Sequence, residues 1–259
     1  MSQSQTLPPE ALYPLFAGME TLPGVGQKAA KSFESLGITR PKDLLYHLPH
    51  SGVDRALRQS VRDVVPPASL TVEVEIGQHV PSRRKGGPYR VHVRDQKVEF
   101  LLVYFHARAE ALQRLLPTGQ RRLVSGKVEL FDGVAQMVHP DHVLRPEEAR
   151  EIPAYEPVYP LAAGLTQRVV GKATEAALTR LPVVAEWIDA ALVTREGWPA
   201  WTEALATAHA PTAAASLAFT HPARQRLAYD ELLAHQLTLS IARSRLRRSK
   251  GVETRGTGA

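Results

Sequence analysis

Thr71-Val72-Glu73-Val74-Glu75-Ile76 alternates polar and apolar residues with a period of two, and the stretch it opens, residues 69–143, decides the fold. That period puts one face of a strand in a core and the other in water. After the loop Pro81-Ser82-Arg83-Arg84-Lys85-Gly86-Gly87-Pro88 comes a second strand, Tyr89-Arg90-Val91-His92-Val93-Arg94, with Val91 and Val93 on one side and Arg90 and Arg94 on the other. A tight turn at Asp95-Gln96-Lys97 leads into a third strand over residues 98–105, and a short helix over 107–116 ends at Pro117 and Gly119. Strands over 122–130 and 134–139 flank Phe131-Asp132-Gly133, where Asp-Gly signals a hairpin. Three strands, a helix and two strands in so short a span is the order of an OB-fold, a five-stranded Greek-key barrel plugged by its helix. The expected class is therefore α+β, with the barrel domain over residues 61–145.

On either side the pattern turns helical. In residues 1–60, Leu12, Leu15, Phe16 and Met19, then Ala29, Ala30, Phe33 and Leu36, recur at helical spacing. Between them Leu22-Pro23-Gly24-Val25-Gly26 reads as the turn of a helix-hairpin-helix. Gly37 closes the second helix, and Pro41 starts a third that stops before Pro49. Pro140, Pro146, Pro153, Pro157 and Pro160 favour an extended strap, and 146–165 reads as a proline-rich linker. Residues 166–250 read as helices over 166–181, 183–193 and 198–209, then a long helix opened by His221-Pro222. Residues 251–259 read as an open tail of a chain cut before its end.

A chain of 259 residues, 44% hydrophobic and 22% charged, has room for one large or two ordinary domains with a self-sufficient core. It holds no cysteine, which excludes disulfides, thiolate zinc, iron–sulfur clusters and a cysteine nucleophile. No apolar run approaches the ~20 residues of a membrane span, and the first ten residues lack the blocks of a signal peptide. The expectation is a cytoplasmic monomer with no membrane partner. Net charge is +6, unevenly spread: residues 79–127 carry eleven Lys/Arg against three acids, and 242–250 five cations against none, which leaves −7 for the rest. A basic segment in an otherwise acidic chain points to a polyanion, most simply nucleic acid, against the alternative of a merely solvated face.

OB-folds hold single strands through a charged groove and through rings on which bases stack. The candidate DNA-binding residues are Arg83, Arg84 and Lys85 in the first loop, Tyr89 and Arg90 on the second strand, and Tyr104, Phe105, His106 and Arg108 at the end of the third. Arg121, Arg122 and Lys127 on the fourth strand join them. Strand alternation sends Tyr104 and Phe105 to opposite faces unless the strand ends there, so one ring belongs to the core and the other is free to stack. Gly24, Val25, Gly26 and Lys28 form a second candidate, a hairpin whose amides could hold a phosphate or merely pack two helices closely. There is no G-x-x-x-x-G-K-[ST], no H-E-x-x-H and no G-x-S-x-G. His47/His50 and His139/His142 are three apart without a third ligand, so no metal is expected. Trp187, Trp198 and Trp201 read as core, and His221 as a cap or hinge.

Several blocks, in order along nearly the whole chain, resemble the front part of the bacterial RecG family of ATP-dependent DNA helicases. They are Leu22-Pro-Gly-Val-Gly-Gln-Lys-Ala-Ala, Asp43-Leu-Leu-Tyr-His-Leu-Pro, Leu102-Val-Tyr-Phe-His-Ala, Ser125-Gly-Lys-Val-Glu, Met137-Val-His-Pro-Asp-His, Pro157-Val-Tyr-Pro-Leu and the run from His221-Pro-Ala-Arg-Gln-Arg. The resemblance implies a wedge domain that grips branched DNA such as replication forks and Holliday junctions, serving recombination and repair. It places bacterial, nucleoid-associated work in the cytoplasm. The family's aromatic pair, which stacks on bases at the junction, corresponds to Tyr104 and Phe105, with tyrosine where phenylalanine is commoner. At Ser51-Gly52-Val53-Asp54-Arg55 the family's Arg-Tyr-Glu-Asp-Arg-like run keeps only its last two residues. The family is a 3′–5′ helicase whose ATP and Mg2+ sites lie in motor domains beyond this sequence, so this chain alone is expected to bind no cofactor and to be inactive as a motor. The rival readings are a protein-interaction module and an inactive truncated fragment.

Overall fold

In the computed structural model of the chain, which describes residues 10–84 and 86–246, α1 (Gln27–Glu34) and α2 (Pro41–Leu45) precede β1 (Ser51–Asp54), β2 (Leu57–Arg58), β3 (Ala68–Val80), β4 (Tyr89–Arg94) and β5 (Glu99–Tyr104). Then follow α3 (Ala109–Leu115), β6 (Arg121–Phe131), β7 (Val134–Val138), β8 (His142–Leu144) and β9 (Tyr155–Val158). The helices α4 (Gln167–Leu178), α5 (Ala190–Glu196), α6 (Trp201–His209) and α7 (Pro222–Leu246) complete it. The chain is a mixed α+β protein of two units, one of Met1–Leu48, Tyr159–His209 and Ala215–Ala259, the other of Pro49–Val158 with Ala210–Ala214. Lys85, residues 1–9 and 247–259, with the last three cations of the basic run, lie outside the described residues. No described helix is long and apolar enough to cross a membrane.

The helical unit closes on Phe33, Leu44, Leu45, Val170, Ala173, Leu205 and Leu227, all buried. Local chemistry sets its turns. Gly37 takes φ +75° just past α1, a left-handed conformation that glycine adopts without a Cβ clash. Pro41 opens α2, where its missing N–H costs nothing, and Asp43 Oδ2 accepts the N–H groups of Thr39 and Arg40 at 2.9 Å each. Two expectations fail. Residues 10–19 form 3-10 turns, Glu10–Leu15 and Met19–Thr21, because Pro14 removes a helical donor, although Leu15 and Met19 still reach the core. The helix expected over 183–193 is present only as α5. Upstream of it Glu186 Oε1 accepts the N–H groups of Trp187 and Ile188 at 2.9 Å, competing with helical bonding, and Asp189 then caps α5. Glu186 and Asp230 clamp fully buried Arg226 at 2.7–3.0 Å, and its guanidinium lies 5.1 Å over the Trp187 ring. Trp187 is thus a half-exposed lid and not core, and Trp198 and Trp201 are only partly buried.

The second unit is built on β3, whose first half pairs antiparallel with β6 and whose second half pairs with β4. From β4 the ladders pass to β5, in parallel to β7, and antiparallel to β6, which returns to β3. Five strands are thereby joined in a closed ring of ladders, with β2 and β8 added at its margins. The inward residues Leu70, Val72, Val74, Ile76, Val91, Val93, Phe100, Leu102, Val124, Val128 and Met137 are 0–2% exposed and make one core. Asp95 and Gly133 act as the sequence predicts: Asp95 accepts the N–H groups of Lys97 and Val98 at 2.8 Å to tie the β4–β5 turn, and Asp132-Gly133 turns β6 into β7 with both φ positive. The proline-rich strap is not featureless. It holds β8, a 3-10 turn over Pro146–Glu151, and β9, which pairs antiparallel with β1.

Candidate nucleic-acid interface

Strand β4 alternates strictly, with Tyr89, Val91 and Val93 buried and Arg90, His92 and Arg94 exposed. Its first residue, Tyr89, lies directly opposite Tyr104, the last residue of β5. That register brings the 81–88 loop out beside the Phe105–Arg108 turn. Both tyrosines belong to the core. Tyr89 is 5% exposed and its hydroxyl meets His79 Nδ1 at 3.0 Å, while His79 Nε2 donates to the Leu116 carbonyl at 2.8 Å. Tyr104 is 8% exposed, and burial pushes its phenol pKa up. Its hydroxyl is buried with no hydrogen-bond partner among the described residues. Neither ring presents an open face, because alternation inside a closed ring of strands sends both to the core: Tyr104 is the core member of the Tyr104–Phe105 pair, and Tyr89 is buried where an exposed candidate was expected.

Phe105 is 41% exposed. It follows the end of β5, so its N–H has no strand partner and instead donates to His139 Nε2 at 3.0 Å. The His139 ring lies 5.9 Å from the Phe105 ring at 35°, and edge-on to Tyr104 at 5.7 Å. His106 and His139 both take positive φ, 56° and 46°, so the backbone turns sharply on each side of the exposed ring. His106 is exposed, and the chain then enters α3 through Arg108 at its N-cap.

The candidate cations divide into two groups. Arg83, Arg84, Arg90 and Arg108 are exposed and form no ion pair among the described residues. The others are engaged. Arg121 pairs with Glu73 at 3.2 Å, and Lys127 with Glu129 at 2.6 Å. Arg122 donates to the carbonyls of Leu115 and Arg121 and to Gln120 Oε1 at 2.8–3.0 Å, tying the exit of α3 to β6. Arg94 stands across from Glu75 and Glu99. The basic excess read from the sequence therefore narrows to the end of the sheet where Phe105 sits.

In the helical unit, Gly24, with φ +78°, Gly26 and Lys28 are exposed, whereas Val25 is buried in the core and its N–H donates to Leu22 O at 3.1 Å. Val25 thus packs into the core while Gly24, Gly26 and Lys28 stay at the surface. Among the described residues no cluster of His, Asp and Glu could hold a metal ion.

Sequence reading named two residues without finding their roles. His139 precedes Pro140, a position biased away from the left-handed region, so no local rule places it under Phe105. Arg55, 6% exposed, bonds Glu156, Asp141 at 2.9 Å and Ser125 Oγ at 3.2 Å; Thr71 donates to the same Ser125 oxygen at 2.9 Å. Retention of Asp54-Arg55 in an otherwise altered run was the available signal. The Tyr155 ring packs directly on Gly52, where any Cβ would collide with it.

A family model of the RecG wedge domain matches residues 20–181. The ATP-dependent DNA helicase RecG of Escherichia coli O127:H6 (strain E2348/69 / EPEC) is 29% identical over 236 residues, covering 87% of this chain and 33% of its own. That of Pasteurella multocida (strain Pm70) is 30% identical over 234 residues, with the same coverage. The chain spans a third of the length of these curated relatives. A solved structure of RecG bound to a three-way DNA junction superposes with a TM-score of 0.68 at 22% identity, over 92% of this chain and 33% of that one, a likeness of fold. Matched by the family model over more than half its length, this chain belongs to the RecG wedge-domain family.

Proposed function

We propose that this chain is the DNA-junction-binding wedge portion of a RecG-type helicase, serving recombination and repair at stalled forks and Holliday junctions. In this reading the five-strand ring is an OB-fold barrel. The strand order β3-β4-β5-β7-β6 and its return to β3, with α3 between β5 and β6, support it. The carrying observation is Phe105, a ring left open at a strand end beside four exposed arginines that form no ion pair among the described residues. Arg83, Arg84, Arg90 and Arg108 neutralise phosphates, and Phe105 caps a base where two strands part. Neutralised phosphates release counterions, and one stacked base contributes about 1–3 kcal/mol whatever its identity. The mechanism is passive: strands divide around a fixed obstacle, and the pull comes from elsewhere. The sequence contains no G-x-x-x-x-G-K-[ST] stretch, and this reading asks no nucleotide chemistry of these residues. The glycine turn at Gly24–Gly26 with Lys28 serves as a secondary phosphate contact.

The test is binding of the chain to a three-way junction and to plain duplex across a salt series. Junction preference is expected, with a log–log salt slope of about −3 for four phosphate contacts. Phe105→Ala is expected to weaken junction binding about 5- to 150-fold and leave duplex binding unchanged. Equal affinity for both DNAs would remove the wedge, and a flat salt response would remove the phosphate contacts.

A further inference from the structure

We propose that His139 is the positioning residue for the Phe105 ring, holding it from below in the Nδ1–H tautomer so that its outer face meets a base. The inference rests on reading Phe105 as the stacking ring, and goes beyond it by assigning the support. Phe105 lies one residue past β5, where ladder bonding has ended. An exposed ring on such a frayed end would sample many orientations and lose entropy on every encounter with DNA. Three contacts prevent this. The His139 N–H donates to Val103 O at 2.9 Å, fixing the imidazole's own backbone to β5. His139 Nε2 accepts the Phe105 N–H at 3.0 Å, the donor that the ladder leaves over. The imidazole lies at 35° to the Phe105 ring and nearly perpendicular to the Tyr104 ring, whose centroid is 5.7 Å away.

A nitrogen that accepts carries no proton, so a neutral imidazole bonding Phe105 through Nε2 must keep its hydrogen on Nδ1. His139, bonded to the Phe105 N–H, and His106, the next residue after Phe105, both hold left-handed backbone. Backbone of that kind persists only where surrounding contacts over-determine it, and it concentrates at binding sites. A base arriving on Phe105 would complete a column of base, phenyl and imidazole, resting on the buried Tyr104.

The first measurement uses the unaltered chain: long-range 15N–1H correlation of the His139 ring. The Nδ1–H tautomer is expected, and the Nε2–H tautomer would overturn the proposal without any variant having to fold. The second is a double-mutant cycle on three-way-junction affinity. His139→Ala is expected to weaken binding about tenfold, and His139→Gln, whose amide oxygen can reach where Nε2 stood, to recover most of that loss. Adding His139→Ala to Phe105→Ala is expected to cost less than twofold more, since a support without its ring supports nothing. Full additivity of the two losses, or equal loss in His139→Gln and His139→Ala, would sink the positioning role. If Phe105→Ala itself binds like the unaltered chain, the stacking reading falls, and the tautomer still judges the geometry at His139 separately.

Discussion

Tyr104 and Phe105 are neighbours in sequence and opposite in fate, and the difference tests which physical effect rules each. The Tyr104 hydroxyl sits in the core without a partner among the described residues, a loss of about 1–3 kcal/mol relative to leaving it in water. Tyr104→Phe is therefore expected to leave junction binding unchanged and to stabilise the second unit by about 1 kcal/mol, read by urea titration of its amide signals. Tyr104→Ala should instead destabilise it by about 3–5 kcal/mol through the cavity it opens. A loss of junction affinity in Tyr104→Phe without loss of stability would mean that the buried ring, through its hydroxyl, takes part in binding.

At the level of elements, the β1–β9 pair is held by charge as much as by its ladder. Arg55 sits at the end of β1 and reaches Glu156 on β9, Asp141 before β8 and Ser125 on β6. Removing the guanidinium takes the cation from the half-buried Glu156 and the exposed Asp141, so Arg55→Ala is expected to cost about 1.5–3 kcal/mol in urea unfolding and to release the 140–158 strap to proteases. The hydrogen bond from His142 and the charge of Arg55 hold the Glu156 carboxyl below its ordinary 4.5, against its burial. This pairing is intact above pH 4.5 and is lost as pH falls through the lowered value, because the unfolded chain takes up the proton first. This element also marks where sequence reading stops. Alternation, Asp-Gly and the Asp95 turn made β3 to β7 legible, because each signal lies within a few residues of what it specifies. The β1–β9 pair joins residues a hundred positions apart across prolines, and its pattern is a glycine facing a tyrosine ring. Likewise the exposed face of β4 could be read from alternation, whereas the acids set opposite Arg94, and the one paired with Arg121, come from β3 and β5. Only the pairing register brings them together.

Over the whole molecule, two cores imply two stabilities with different answers to acid. His209 is buried in the helical unit, its Nε2 bonded to Leu45 O at 3.0 Å and its Nδ1 to the Tyr159 hydroxyl at 3.2 Å. Burial pushes its pKa down from 6.5 to about 4. Unfolding restores the ordinary value, so this unit keeps its full stability above pH 6.5 and should lose about 3 kcal/mol as pH falls to about 4. All three tryptophans lie in this unit, so their fluorescence should follow its acid-sensitive transition alone, and His209→Gln should flatten the pH dependence. The sheet unit's amide signals should hold until below pH 4.5. The order of the chain adds one consequence. The helical unit is interrupted between Leu48 and Tyr159, and again briefly at Ala210–Ala214; the His50 N–H bonds Val158 O at 3.0 Å, so the long segment 49–158 begins and ends at adjoining points. A segment delivered that way behaves as a removable cassette: 49–158 should fold when expressed by itself, and a few Gly-Ser residues should bridge the gap left in its host. An evolving genome could insert or swap such a piece with little disturbance to the helices around it.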